Sequence, residues 1–158
     1  MGGVLSVAVA AAFIYGMAVT RTDYTVNRVD IVSDRLPVSF DGYSIVQISD
    51  LHIGSMVRAQ RETERIVEIC NSLKADAVAF CGDLLGRLQA RDGVYAVTGN
   101  HDLGVYVRDT LALPVAENTW RVIEAERALG WHVLDNETMY LHRGGDSVSL
   151  TGLSFDRE

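Results

Sequence analysis

The chain has 158 residues, enough for one modest domain, with an ordinary globular balance of 48% hydrophobic and 22% charged residues. A net charge of −7 argues against a basic face for nucleic-acid binding, yet it leaves phosphate substrates open, because bound cations would invert the local field. The two cysteines, Cys70 and Cys81, lack any metal-site spacing and read as small core residues kept reduced.

Residues 2–20, GGVLSVAVAAAFIYGMAVT, carry no charge. At ~1.5 Å rise per residue such a helix just spans a hydrocarbon core of ~30 Å, so a transmembrane helix is predicted. A signal peptide is the rival reading, but no Lys or Arg opens the segment. MGGVLS also fits a myristoylation pattern at Gly2, which an apolar segment directly behind it makes redundant. Arg21, Arg28 and Arg35 follow the apolar run and nothing basic precedes it. The positive-inside rule then places a single pass with the rest of the chain on the cytoplasmic side.

Residues 21–42 alternate polar and apolar around YTVNRVDIV, predicting an edge strand and linker closed by Pro37 and the Asp41-Gly42 turn. From residue 43 to 158 the pattern is strand, helix, strand. Strands are expected over 43–49, 76–82 and 93–99, and helices over 58–74 and 117–130. Three further strands follow in WHVLDN, TMYLHR and SVSLTGL, with a turn at Gly144-Gly145-Asp146. Apolar strands alternating with helices indicate an α/β fold with a mainly parallel sheet. Ligands bind such sheets beyond the carboxyl ends of the strands.

Three of those ends carry polar clusters: SDLH at 49–52, GDLL at 82–85 and GNHD at 99–102. Asp50 and His52 are two apart, a carboxylate and an imidazole suited to Fe, Mn or Zn. Asp83 alone reads as a turn or cap residue, but a carboxylate between two cations can bridge them. Asn100 offers a neutral carbonyl, His101 a second imidazole and Asp102 a carboxylate, all costly to bury unpaired. Each piece alone has a bland reading as a turn or a surface side chain. The specific signal is the three together, each ending an apolar strand.

D-x-H, then G-D, then G-N-H-[DE] resembles the signature of the calcineurin-like metallophosphoesterases, from about residue 43 onward. LPVSFDGYSIVQISDLHIGS behind an apolar helix, then GVYAVTGNHDLGVY and ERALGWHVLDNE, look like the membrane-attached bacterial branch. The resemblance implies the N-terminal half of an α/β sandwich preceded by a transmembrane helix. It implies two divalent metal ions (Mn, Fe or Zn) that hydrolyse a phosphomonoester or phosphodiester through a metal-bound hydroxide. Asp50 and His52 would bind the first metal, Asp83 would bridge both, and Asn100 would bind the second. His101 would contact the phosphate and protonate the leaving oxygen, and Asp102 would orient His101. Phosphomonoester, nucleotide and lipid-linked diester all fit as substrates.

The family's lone downstream histidine and Gly-His-x-His motif have no counterpart after Asp102. His132 and His142 lie in alternating strand patterns and read as structural or exposed. The second metal would then have only Asp83 and Asn100, an incomplete site. The connection GRLQARDG, 86–93, is also too short for the family's helix. One sheet face around Val78 and Phe80 is therefore expected to be uncovered. Both departures suggest a truncated phosphohydrolase. The alternative is a non-catalytic, membrane-anchored binding scaffold that retains a partial metal site.

Overall fold

A computed structural model describes residues 2–18, 22–51, 56, 58–81, 86–100 and 114–154. Helix α1 (Gly2–Ala18) is followed by a short 3₁₀ turn (Val38–Phe40) and strand β1 (Ile45–Ser49). Helix α2 (Ala59–Ser72), strands β2 (Ala77–Cys81) and β3 (Val94–Val97) and helix α3 (Val115–Ala128) come next. Strands β4 (His132–Val133), β5 (Glu137–Arg143) and β6 (Asp146–Gly152) complete the order. Strands β1 to β4 form one parallel sheet in chain order, and β5 and β6 form an antiparallel hairpin. The expected α/β architecture is therefore present.

Local chemistry accounts for these elements. Helix α2 buries Ile66, Val67 and Cys70, one stripe at helical spacing, together with Glu62 in its first turn, and turns Arg61, Glu64, Arg65 and Glu68 outward. Helix α3 starts after Pro114, carries Glu117 in its first turn and Arg127 in its last, and stops at Gly130, whose φ of +81° suits glycine. The hairpin turns at Gly144-Gly145, both at positive φ, where the sequence predicts a turn.

The sheet lies between two layers. Val46, Ile48, Val78, Phe80, Val94, Ala96 and Val133 pack toward α2 and α3. Ala77, Tyr95, Val97 and Leu134 pack toward the hairpin and Phe40. Gly152 of β6 lies directly against the sheet. A Cβ there would lie 2.6 Å from the Leu134 carbonyl oxygen and 2.7 Å from Val97 Cγ1, so only glycine fits.

Two expectations need correction. The predicted edge strand within 21–42 does not form, as residues 23–33 hold no regular structure. Alternation makes a strand only when a sheet edge receives it. Here Tyr24 is drawn to α2 instead, through its hydroxyl on Glu62 Oε2 (3.3 Å) and the Arg65 guanidinium 5.4 Å from its ring. Val29, Ile31 and Val32 are left 80–93% exposed.

The face around Val78 and Phe80 is not uncovered: the two are 0% and 1% exposed. The connection through 86–92 has no helix, as its length requires, but Leu88 turns inward to join this core. Trp131 closes over Phe80 edge-on, ring centroids 5.4 Å apart. Two large side chains replace a helix.

The helix expected over 2–20 is described over 17 residues, ending at Ala18, ~25 Å at the usual rise. Among the described residues no helix is long and apolar enough to cross a membrane. Helix α1 is nonetheless apolar on every side, with Val4, Leu5, Val7, Val9, Phe13 and Ile14 all exposed.

Candidate functional site

The strand register builds one edge. Ser49 pairs with Cys81 and Cys81 with Val97, so β1, β2 and β3 end level with one another. Asp50 leaves β1 at a φ of +55°, a left-handed conformation that aspartate tolerates better than most residues, and its side chain is exposed. Asn100 follows β3 by three residues, after buried Thr98, and is half-buried. The described donors thus stand at the same edge, on the two strands flanking β2. His52, Asp83, His101 and Asp102 lie outside the described residues. Among the described residues no three His, Cys, Asp or Glu side chains converge on a metal-sized site.

The described donors, one carboxylate and one amide oxygen, are of the kinds that hold divalent cations. Adjacent strands lie ~4.8 Å apart, so β1 and β3 are ~10 Å apart with β2 between them. Two cations ~3.5–4 Å apart, each ~2.1 Å from its ligands, span about 8 Å. Asp83, two residues after β2 in sequence, would supply a carboxylate between the two strands.

His132 and His142 do not complete this edge. His132 pairs in register with Tyr95 and stacks on its ring at 5.0 Å. Tyr95 is five residues before Asn100, ~16 Å back along an extended chain. His142 is exposed in the hairpin opposite Ser147. Both histidines are structural or solvent-facing, as their patterns predict. Cys70 is a buried thiol whose pKa burial pushes up, and Cys81 is half-buried; neither is in a disulfide.

Sequence reading missed a polar network at the opposite, amino edge. Arg91 binds Asp76 at 2.8 Å and grips Asp92 with Nε at 3.0 Å and Nη2 at 3.1 Å. Asp76 also accepts from the Ser44 amide at 2.8 Å, and its own carbonyl accepts from the Asp92 amide at 2.7 Å. Arg143 reaches over from the hairpin, 4.0 Å from Asp76 and 5.5 Å from the Tyr43 ring centre. The network ties the starts of β1, β2 and β3 to β5. The sequence signal was acidic residues next to strand starts, Asp76 before β2 and Asp92 before β3.

Hydrogen bonds from Arg91, against some desolvation, hold the Asp92 carboxyl below its ordinary pKa. A carboxylate depressed on folding adds stability above its unfolded pKa of about 3.9, and that stability is lost as pH falls through the lower folded value. Arg91→Met should therefore lower the urea midpoint more at pH 6 than at pH 3. Equal losses at both pH values would show that Arg91 acts by packing alone.

Residues 44–152 match the family model described as the calcineurin-like phosphoesterase superfamily domain. A zebrafish (Danio rerio) protein named "Transmembrane protein with metallophosphoesterase domain" is 34% identical over 107 residues, 59% of this chain and 24% of its own length. A Caenorhabditis elegans protein named "Putative metallophosphoesterase F40B5.2" is 37% identical over 101 residues, 55% of this chain and 21% of its own. The Bacillus subtilis protein "Uncharacterized metallophosphoesterase YkuE" is 32% identical over 92 residues, 48% of this chain and 32% of its own. The chain thus spans between a fifth and a third of the length of these relatives. No solved structure matches it. With the family model covering more than half of the chain, on an α/β fold with a parallel sheet, the protein belongs to the calcineurin-like phosphoesterase superfamily.

Proposed function

We propose that this chain carries the metal-binding half of a membrane-attached, metal-dependent phosphoester hydrolase. The observation that supports this best is the level ending of β1, β2 and β3, with Asp50 and Asn100 at the shared edge. Asp50 and His52 would hold one divalent cation, Asp83 would bridge, and Asn100 would hold the second. When bound, the pair supplies Lewis acidity at phosphorus and a lower pKa for the attacking water. The chain's own chemistry is then proton transfer. His101 would give its proton to the leaving oxygen, and Asp102 would fix the tautomer that makes this possible. Membrane attachment rests on α1, whose exposed apolar sides suit lipid better than water. Arg28 and Arg35 behind it favour a cytoplasmic domain.

The ligand count makes the two metal positions unequal. Calorimetric titration with Mn²⁺ should show one ion bound more tightly than the second, with slow hydrolysis of an aryl phosphate. Asp50→Asn should weaken the tight site, and Asp83→Asn should weaken both. Two equally tight ions with rapid turnover would mean that further ligands complete the centre. Absence of any Mn²⁺ binding would leave the fold as a binding scaffold and refute the hydrolase.

A further inference from the structure

The segment that joins α1 to the domain is fixed at the same end of the molecule as the candidate site. Arg65 of α2 donates from Nη1 to the Thr22 carbonyl at 2.9 Å. The Tyr24 hydroxyl donates to Glu62, in the first turn of α2. The direction of α2 is set by its other end. Residues 73–76 tie it to the start of β2, where the Asp76 and Ala77 amides donate to the Ser44 carbonyl at the amino edge. Helix α2 is ~21 Å long and β1 ~17 Å. The first turn of α2 therefore lies level with the carboxyl ends of the strands. Leu51, beside Asp50, and Met56 pack with Tyr24 against the same core.

Chain length does the rest. Ala18, the last residue of α1, is four residues from Thr22, at most ~14 Å. A domain tethered through its amino edge would hold the site away from whatever α1 enters. This domain is tethered through the edge that bears Asp50 and Asn100. We infer that the site opens beside the lipid surface and acts on a phosphoester carried by a membrane lipid. The inference rests on the proposed hydrolase and on attachment through α1.

The single lysine of the chain makes the test direct. Lys74 follows α2 at the amino edge, and Arg58 precedes α2 at the carboxyl edge. An amine-reactive fluorophore is placed on the full chain and on the double variant Arg58→Lys/Lys74→Arg, the N-terminal amine being common to both. Each protein is mixed with phosphatidylcholine vesicles containing a headgroup nitroxide lipid, and flotation is read first. A chain that does not float refutes attachment and the inference with it. For a chain that floats, quenching at position 58 should be at least twofold stronger than at position 74. Equal quenching, or stronger quenching at 74, overturns the inference and leaves attachment intact.

The substrate class is read in the same vesicles with Mn²⁺, comparing a fluorescent phosphatidic acid with water-soluble methylumbelliferyl phosphate. The lipid ester should be cleaved at least tenfold faster. Preference for the soluble ester overturns the inference while the hydrolase stands. Cleavage of neither ester refutes the hydrolase and the lipid substrate together, and quenching then still reports which edge faces the bilayer.

Discussion

His101→Asn should lower Mn²⁺-dependent hydrolysis of an aryl phosphate by about 10²–10⁴-fold, the usual contribution of a positioned acid. Asparagine keeps a polar group of similar size but has no proton to give at neutral pH. Its effect should therefore fall on kcat and leave the tighter Mn²⁺ affinity unchanged, because that ion is assigned to Asp50, His52 and Asp83. The loss should shrink for esters whose leaving group has a low pKa, since such a group departs without a proton. A uniform loss across leaving groups would assign His101 to phosphate binding alone. Loss of Mn²⁺ binding would make it a metal ligand. His101 follows Asn100, which the structure holds half-buried where β3 ends.

The sheet was legible because its strands are short apolar runs with polar residues at their carboxyl ends. Ile48, Phe80 and Ala96 are buried where an α/β sheet needs them. The level ends followed from the same pattern: Ser49, Cys81 and Val97 are in register, with Asp50 one residue and Asn100 three residues further along. Two features were not legible, for different reasons. The linker alternates like a strand, but pairing depends on a sheet edge elsewhere, and Tyr24 engages α2 instead. The amino-edge network joins Asp76 to Arg91 through the pairing of β2 with β3, and to Arg143 only once the hairpin folds over the sheet. Periodicity carries no information about such long-range pairs.

The third gap is the short connection between β2 and β3, and it sets the largest expected loss of stability. Phe80 is 1% exposed, with Trp131 edge-on at 5.4 Å and Leu88 in the same core. In a sheet whose crossover carried a helix, truncating one aromatic would leave other groups to close the gap. Here Leu88 and Trp131 take that place beside the side chains of α2 and α3, and Trp131 is held by its backbone amide on the Glu126 carbonyl at 3.2 Å. Phe80→Ala should therefore cost about 3–5 kcal/mol, the range for deleting a buried aromatic ring that neighbours cannot replace. At roughly 2–4 °C per kcal/mol for a chain of this size, the melting temperature should fall by about 6–20 °C. Phe80→Leu retains most of the volume and should cost less than half as much. The comparison is made by thermal melts followed in the near-ultraviolet, where Trp131 reports packing directly. If Phe80→Ala melts within about 2 °C of the parent protein, the face around Val78 is covered by something other than Leu88 and Trp131. A large loss for both variants would instead show that the Phe80–Trp131 edge contact, rather than filled volume, holds α3 against the sheet.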